Sequence, residues 1–285
     1  IINATNIHNG GGKVLVNDLL NHLGNEFKNE VIIFIDRRWD VNYKFNNTNL
    51  IKISKYKRFI VWYYIYKLVN KNDLILNFTN IPSFFKFKCN TFLIQSNRFV
   101  IEKNSITKQF NFKTRIRLYF EQLKFNLFHE NYDKIIVQSM SMKTILLNKG
   151  IDPNKILILT CLNYCDLINA KPQSPTKNDE IIFLYVASND PHKNHLNLVK
   201  AWIQLSLEKC FPKLILTIDQ HNNLYEEIIS LRNKYKLNLE IKSNLDRKEL
   251  FQLYKKVTLL IYPSTFESYA IPLAEAKSID LPVIC

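Results

Sequence analysis

The chain has 285 residues, 47% of them hydrophobic, and carries a formal net charge of +14. A chain of this length and apolar content can bury a full core, and we expect two domains. The longest nearly uninterrupted apolar stretch, Phe59–Tyr66, is too short to cross a bilayer. Five cysteines without a C-x-x-C motif argue against a zinc site and favour reduced thiols. With no signal peptide before the first expected strand, these features predict a cytoplasmic protein.

Apolar strands alternate with helical patterns along the whole chain. The expected strands are Ile1–Ala4, Val31–Ile35, Leu74–Asn77, Thr91–Gln95, Lys134–Gln138 and Ile156–Leu159, followed by Ile181–Ala187, Lys213–Ile218, Leu239–Lys242 and Val257–Tyr262. This alternation predicts parallel sheets joined by crossover helices. The stretch Ala170–Asp179 has the composition of a linker, so we expect one domain over residues 1–170 and a second over 171–285.

Three consecutive glycines follow the first expected strand. Gly10, Gly11 and Gly12 precede a helical pattern that we expect to end at Gly24. Glycines let the backbone approach a bound group closely, although a flexible turn accounts for them equally well.

Positive charge is concentrated in the first expected domain. Residues 1–170 hold 24 Lys and Arg against 12 Asp and Glu, whereas residues 171–285 hold 15 against 13. Cations alternate with aromatic residues in Lys52–Lys67 and Arg98–Lys124, which suits an anionic membrane surface. The charge can equally reflect a Lys- and Asn-rich composition. The apolar positions of the second segment can form an ordinary buried helix stripe; these are Ile116, Phe120, Leu123 and Leu127.

A strand, a polar loop and a helix are expected between Ile181 and Trp202. The loop contains Ser188, His192 and Lys193, and apolar residues then recur at helical spacing. By itself this pattern also fits a solvated basic turn before a helix, and loop histidines such as His192 and His195 are more often bystanders than ligands.

The last segment repeats this arrangement and adds two carboxylates. An expected strand ends at Tyr262, a loop contains Glu267, and a helix that begins at Pro272 carries Glu275. Backbone N–H groups at a helix start bind anions such as phosphate. Ionised carboxylates on both sides of such a site accept hydrogen bonds from hydroxyl groups. The segment therefore predicts a ligand with phosphate in the middle and hydroxyls at both ends, as in a nucleotide sugar.

The pattern Pro-Ser-x-x-Glu-x-x-x-x-Pro-x-x-Glu-Ala around Glu267 and Glu275, followed by Leu-Pro-Val-Ile, resembles the donor-site signature of retaining GT-B glycosyltransferases of family 4, the glycosyl transferases group 1. The resemblance implies two Rossmann-like lobes with parallel sheets, the first binding the acceptor and the second the donor. Relatives continue beyond the point where this chain stops, at Val283-Ile-Cys285 in an expected buried strand, so we expect the second lobe to be incomplete.

The resemblance also implies roles for individual residues. Glu275 would bind the ribose, Glu267 would contact the donor sugar near the reacting carbon, and Lys193 would bind the pyrophosphate; Glu267 and Lys193 are the catalytic candidates. The further donor-side candidates are Ser268, Tyr269, Ala270, Ile271, Ser188, Gly11 and Gly12. Ser188 occupies the position of the family's pyrophosphate arginine, with His192 or loop amides as substitutes. Gln95, near the position of a catalytic histidine, and Asn97 are acceptor-side candidates.

The function expected from this resemblance is transfer of a sugar, with retention of configuration, from a UDP- or GDP-linked donor to a saccharide or lipid-linked acceptor. We expect a role in bacterial surface polysaccharide synthesis, no metal and no other cofactor, and work in the cytoplasm at the inner face of the membrane. Two other classes stay open. A non-catalytic sugar-binding scaffold would account for the departures at Ser188, Gln95, Ser268 and Ala270. A basic nucleic-acid-binding protein fits the charge, but no recognised nucleic-acid motif is present.

Overall fold

The computed structural model describes residues 1–7, 10–26, 30–39, 48–160, 180–220 and 222–285. The chain divides into two compact units, Ile1–Leu162 and Asn163–Cys285. The boundary expected at residue 170 lies outside the described residues.

The described part of the first unit is built on a seven-stranded sheet in the order β3-β2-β1-β4-β5-β6-β7, with every neighbouring pair parallel. Its strands are β1 (Ile2–Ala4), β2 (Val31–Asp36), β3 (Thr48–Ile53), β4 (Leu74–Asn77), β5 (Asn90–Ile94), β6 (Lys134–Val137) and β7 (Ile156–Ile158). Its helices are α1 (Gly10–Glu26), α2 (Arg58–Leu68), α3 (Arg98–Ile101), α4 (Phe112–Phe128) and α5 (Met140–Asn148).

The described part of the second unit has a five-stranded parallel sheet in the order β10-β9-β8-β11-β12. Its strands are β8 (Ile182–Val186), β9 (Lys213–Thr217), β10 (Leu239–Ile241), β11 (Leu259–Ile261) and β12 (Val283–Ile284). Its helices are α6 (His195–Leu207), α7 (Asn223–Tyr235), α8 (Arg247–Lys256) and α9 (Ile271–Ser278). The expected α/β fold with parallel sheets in two units is confirmed.

Both sheets are covered on two faces, which explains why their strands have nearly continuous apolar sequences. In β2, Ile33 and Ile35 pack with α1 residues such as Val16, whereas Phe34 between them packs with Val61 of α2 on the other face. Successive strand residues point to opposite faces, so one strand supplies both cores.

Strand order reverses at one place in each sheet. In the first sheet the chain runs outward from β1 to β2 and β3, and then returns to place β4 on the other side of β1. In the second sheet, β8 and β11 form the same junction. Loops that leave the carboxyl ends of two such strands diverge and leave a crevice, where ligands of open α/β sheets usually bind.

Three local expectations are wrong. Helix α1 begins at Gly10 and continues through Gly24 to Glu26, so the glycines belong to its first turn and Gly24 does not end it. An internal glycine costs about 1 kcal/mol, which does not by itself terminate a helix. Strand β3 was missed because it lies at the edge of the sheet, where its residues are exposed or only partly buried. The final strand was expected to be buried, but Val283 and Ile284 are exposed.

The expected buried stripe of helix α4 is also wrong. The structure buries Leu118 and Phe125 instead, one residue every seven along the helix. The four stripe residues are exposed: Ile116, Phe120, Leu123 and Leu127. A single narrow seam packs against the unit, and the remaining apolar surface of α4 faces solvent.

Candidate active site

The loops that follow β8 and β11 are bound to each other at the junction where strand order reverses. The carbonyl of His192 accepts hydrogen bonds from the Thr265 amide at 2.9 Å and the Ser264 hydroxyl at 3.1 Å. The Asn194 side chain donates to the Pro263 carbonyl at 3.2 Å. Because the two strands are neighbours, residues about 70 positions apart in sequence form one polar site.

This junction brings the two catalytic candidates together. The Lys193 Nζ lies 2.6 Å from the Glu267 Oε1, and both side chains are largely buried. The same oxygen accepts hydrogen bonds from the Tyr262 hydroxyl at 2.9 Å and from the Ser264 hydroxyl. The Tyr185 hydroxyl donates to the Lys193 carbonyl at 2.6 Å. The cation and the carboxylate are thus held in fixed positions, each offsetting the charge of the other.

The two tyrosines of this site are held in the protonated form. Burial, and then the negative charge of Glu267, raise the pKa of Tyr262 and of Tyr185 well above the usual value. Both phenols therefore remain hydrogen-bond donors at any physiological pH, and they fix the positions of Glu267 and Lys193.

The second carboxylate, Glu275, is almost fully buried in helix α9. The Tyr254 hydroxyl donates to its Oε2 at 2.9 Å, and the Arg247 Nη2 lies 4.0 Å from its Oε1. Both partners belong to α8. Burial, and then the charge of Glu275, raise the pKa of Tyr254. Helix α8 thus fixes the carboxylate from one side.

The start of α9 offers backbone donors between the two carboxylates. Ala270 adopts a left-handed conformation, with φ of 58°, immediately before the first helical residue, Ile271. Among the described residues, the amides of Tyr269, Ala270 and Ile271 donate no hydrogen bond. Ser268 precedes them in the same loop. Amides of this kind at a helix start can bind an anion.

The loop after β8 is shaped by its polar residues. The Ser188 hydroxyl donates to the Asp190 Oδ2 at 2.7 Å, and the Ser188 carbonyl lies 2.8 Å from the His195 Nε2. Burial lowers the pKa of His195 to about 4, so the ring is neutral at pH 7 and donates through Nε2 to that carbonyl. Burial, and then the charge of Lys193, also lower the pKa of His192. His192 therefore supplies no full positive charge at neutral pH, and Lys193 is the cation of this loop.

The candidates of the first unit are held by local contacts. Gln95 is fully buried and donates through Nε2 to the Asn97 carbonyl at 2.9 Å. The Asn97 side chain accepts from the Phe99 amide and caps α3. Gly11 and Gly12 lie in the first turn of α1, where a Cβ on Gly12 would come within 3.3 Å of Ile7. Close packing of α1 on this loop therefore accounts for Gly12 without a ligand.

Within the described ranges, no group of three or more His, Cys, Asp or Glu residues is placed to hold a metal ion. No helix in these ranges is long and apolar enough to span a membrane. Cys89, Cys210 and Cys285 are free thiols, while Cys161 and Cys165 lie outside the described residues.

Sequence reasoning missed the residues that hold the candidates in place. They are Tyr185, Ser264, Tyr262, Tyr254 and Arg247. For Tyr262 and Ser264 a signal existed, since both lie at the end of β11 just before Glu267. For Tyr254 and Arg247 the sequence held no signal, because they reach Glu275 only when α8 packs against α9.

Comparison with known proteins gives a family match for the second part of the chain. Residues 168–285 match the model of the family described as glycosyl transferases group 1. No curated protein matches the chain by sequence.

Solved structures of similar fold cover 99% of this chain. They include a sucrose-phosphate synthase from Thermosynechococcus elongatus, with a TM-score of 0.71, 19% identity and 80% of that chain covered. HepE from Anabaena in complex with UDP-glucose has a TM-score of 0.67, 13% identity and 78% of its chain covered. WaaG, a glycosyltransferase involved in lipopolysaccharide biosynthesis, has a TM-score of 0.66, 15% identity and 80% of its chain covered. The chain therefore has a fold similar to that of GT-B glycosyltransferases, and its residues 168–285 match the glycosyl transferases group 1 family.

Proposed function

We propose that this protein transfers a sugar from a nucleotide-sugar donor to a saccharide or lipid-linked acceptor with retention of configuration. The observation that carries the proposal is the 2.6 Å pair of Lys193 and Glu267 at the β8/β11 junction. The loop that carries Glu267 leads to the unbonded amides at the start of α9 and to Glu275. The two neighbouring loops thus combine a cation, backbone donors and two acceptor carboxylates.

In the proposed complex, the donor diphosphate binds the amides of Tyr269–Ile271 and the ammonium of Lys193. Glu275 accepts hydrogen bonds from the ribose, and Glu267 from the donor sugar. The HepE structure is described as a complex with UDP-glucose, which supports a UDP-linked donor. A GDP-linked donor would make the same contacts through its diphosphate and ribose. Without a ligand, Lys193 neutralises Glu267. When the diphosphate binds, the Lys193 ammonium would contact it instead, and a Glu267 oxygen would then accept a hydrogen bond from a sugar hydroxyl.

The chemical step breaks the bond between the anomeric carbon and the diphosphate oxygen, and the leaving diphosphate keeps the electron pair. An acceptor hydroxyl forms the new glycosidic bond on the same face, and its proton passes to the departing phosphate. Lys193 and the amides stabilise the charge that develops on the diphosphate, a kind of preorganised stabilisation that often dominates catalysis. The proposal includes no metal, because these groups supply the positive charge that a divalent cation would otherwise provide.

The test is release of nucleoside diphosphate from UDP- and GDP-linked sugars by the purified protein, in buffer with EDTA. We expect release to continue when divalent ions are removed. In Glu275→Gln, which keeps the size of the side chain, we expect affinity for the competent nucleoside diphosphate to fall about tenfold or more. Losing a hydrogen bond to a charged group costs about 1.5–3 kcal/mol. Calorimetry gives the affinity.

The matched control is Glu227→Gln, since Glu227 is an exposed carboxylate on α7. This variant should bind like the unmodified protein. Nucleotide-sugar binding without any release would support the non-catalytic scaffold instead. No binding of any nucleotide sugar would refute both functions, and release that requires added Mg²⁺ or Mn²⁺ would refute the metal-independent step.

We also propose that the first unit docks on an anionic membrane surface, at the inner face of the membrane. Two helices expose apolar side chains that we term the aromatic face: Phe59, Ile60, Tyr63 and Tyr64 on α2, with Ile116, Tyr119, Phe120 and Leu123 on α4. The Lys124 Nζ on α4 lies 4.9 Å from the ring centre of Phe59 on α2, so the two parts of this face meet. Aromatic rings settle at the membrane interface and nearby lysines bind anionic headgroups.

Lys57 and Lys67 are exposed at the two ends of α2, and their replacement tests this docking. We expect Lys57→Glu/Lys67→Glu to reduce binding to anionic vesicles by about thirtyfold or more, because each of the two lost surface cations contributes about 1 kcal/mol. Co-sedimentation measures the binding. The control is Lys71→Glu/Lys88→Glu, whose exposed lysines precede β4 and β5 and belong to neither helix of the aromatic face. Equal binding of the unmodified protein to neutral and anionic vesicles would contradict the docking proposal.

A further inference from the structure

The first unit contains a cavity of about 870 Å³ at its own β1/β4 junction. Its floor is formed by residues that follow the carboxyl ends of β1, β4 and β5, such as Asn6, Asn80 and Asn97. Its walls come from α2 and α4. Among the described residues, five cationic side chains line it against one carboxylate, Glu121; the cations are Arg38, Lys55, Arg58, Arg117 and Lys124. This position is where an open α/β sheet binds ligands, and the charge favours an anion.

Two of the arginines are fixed by one buried carboxylate. Asp36, at the end of β2, accepts from the Arg38 Nε and Nη2, each at 2.9 Å. Arg58 donates to the same carboxylate, and through its Nη1 to the Asn6 Oδ1 at 2.5 Å. These contacts hold both guanidinium groups at the cavity before any ligand arrives. Asp36 offsets part of their charge, so the surplus positive charge lies mainly on the other three cations.

Those three cations are less constrained. The Arg117 Nε lies 3.7 Å from the Glu121 Oε1, a loose pair on one turn of α4. The Lys124 Nζ lies 4.9 Å from the ring centre of Phe59 and 5.1 Å from that of Phe84. Arginine forms bidentate hydrogen bonds with phosphate, and lysine adds a point charge. A diphosphate could therefore bind here without displacing a buried ion pair.

An apolar groove adjoins the cationic cavity. It has a volume of about 520 Å³ and is lined mainly by one side of α4, including Phe112, Ile116 and Tyr119. Phe120 lines both the cavity and the groove, so the two spaces lie on either side of one ring. Ile116 and Phe120 also belong to the aromatic face. An anionic site next to an apolar channel fits a molecule with a charged head and a hydrocarbon tail.

We propose that the acceptor is a prenyl-type lipid diphosphate, with its diphosphate in the cationic cavity and its chain along the groove of α4. This inference rests on the proposed function, since it names the acceptor class of the same enzyme. Arg117 and Lys124 bind the diphosphate, Arg58 orients it, and Ile116 with Phe120 contacts the chain. The three asparagines of the floor offer hydrogen bonds to a head group attached to the diphosphate.

The test is direct binding of farnesyl diphosphate, compared with inorganic pyrophosphate and with farnesol, by calorimetry in detergent-free buffer. We expect farnesyl diphosphate to bind at least tenfold more tightly than either part alone. Arg117→Gln/Lys124→Gln should weaken farnesyl diphosphate and pyrophosphate at least tenfold. Ile116→Asn should weaken farnesyl diphosphate but leave pyrophosphate binding within twofold. The unfolding midpoint of each variant shows whether it is folded. Lys71→Gln/Lys88→Gln removes two cations outside the cavity and should bind farnesyl diphosphate like the unmodified protein.

Several results would overturn the proposal. Pyrophosphate binding as tight as that of farnesyl diphosphate would indicate a site for free phosphate groups, and equally tight farnesol binding would indicate a purely apolar groove. Competition by a single-stranded oligonucleotide at equal concentration would indicate a nucleic-acid site. The two failures can be told apart. Donor release without farnesyl diphosphate binding refutes only this inference. Farnesyl diphosphate binding without donor release refutes the proposed function and the acceptor role of the lipid, and leaves a lipid diphosphate binding site.

Discussion

Replacement of Lys193 by Met is expected to reduce the single-turnover rate of sugar transfer by about 10²–10³-fold. Lys193 is the cation of the loop after β8, and its Nζ lies 2.6 Å from Glu267 at the β8/β11 junction. Removing one preorganised group that stabilises developing charge costs catalysis by about this factor. Affinity for the intact donor should fall less than the rate, because the charge on the diphosphate rises as the glycosidic bond breaks. Rapid-quench measurement of the first turnover gives the rate.

Met keeps the length and apolar stem of lysine, so the packing near Tyr185 should be preserved. Lys200→Met is the matched control, since Lys200 is an exposed residue of the helix that follows the same loop. The control should react at the unmodified rate. A Lys193→Met rate within twofold of the unmodified protein would remove Lys193 from the proposed mechanism and leave the backbone amides as the only stabilising group.

Much of the fold could be predicted because buried parallel strands have strong local patterns. Runs such as Val31–Ile35 and Leu214–Leu216 are apolar throughout, since both of their faces are covered. Strand β3 could not be found in this way. Its sequence, Thr-Asn-Leu-Ile-Lys-Ile, mixes polar and apolar residues, none of them is fully buried, and pairing with β2 makes it a strand. Tertiary pairing overrides local preference at such an edge.

The helices show a second limit of sequence patterns. The spacing of apolar residues in α4 correctly indicates a helix but assigns the wrong face to the core. Helix α4 is apolar on more than one side, so periodicity alone cannot say which side packs inward. The exposed side includes Ile116 and Phe120, which line the groove used in our acceptor proposal.

The candidate site could be located from sequence because two strand–loop–helix segments carry its polar residues. That Lys193 and Glu267 form a pair could not be read from either segment. It depends on β8 and β11 being neighbours across the point where strand order reverses. The partners of Glu275, Tyr254 and Arg247, depend further on how α8 packs against α9. The roles of all these residues in catalysis stay predictions.

The second large effect is expected at Asp36, where Asp36→Asn should lower the free energy of unfolding of the first unit by about 3 kcal/mol. The carboxylate is 1% exposed and accepts hydrogen bonds from both Arg38 and Arg58. Losing a hydrogen bond to a charged group costs about 1.5–3 kcal/mol, and Asp36 accepts such bonds from two arginines. The amide keeps the shape and part of the hydrogen bonding, and both arginines are partly exposed, which limits the total to about 3 kcal/mol. Urea unfolding gives the free energy.

The same carboxylate predicts how stability depends on pH. Burial opposes ionisation of Asp36, but hydrogen bonds from Arg38 and Arg58 outweigh burial and hold its pKa well below the usual value. The unfolded chain has an aspartate pKa of about 3.9, so it takes up a proton before the folded protein does. The contribution of Asp36 is therefore fully present above about pH 5 and is lost as the pH falls below about 4. Asp36→Asn should show a weaker fall in stability over that range.

Glu130→Gln is the control for both measurements, because Glu130 is an exposed carboxylate of the same unit. This variant should unfold like the unmodified protein at pH 7. It should also keep the steep loss of stability in acid, since Asp36 remains. If Asp36→Asn unfolds at the same urea concentration as Glu130→Gln, the ion pairs of Asp36 contribute no net stability. Because Asp36 fixes Arg38 and Arg58 at the cationic cavity, its replacement should also weaken farnesyl diphosphate binding under conditions in which the variant is fully folded.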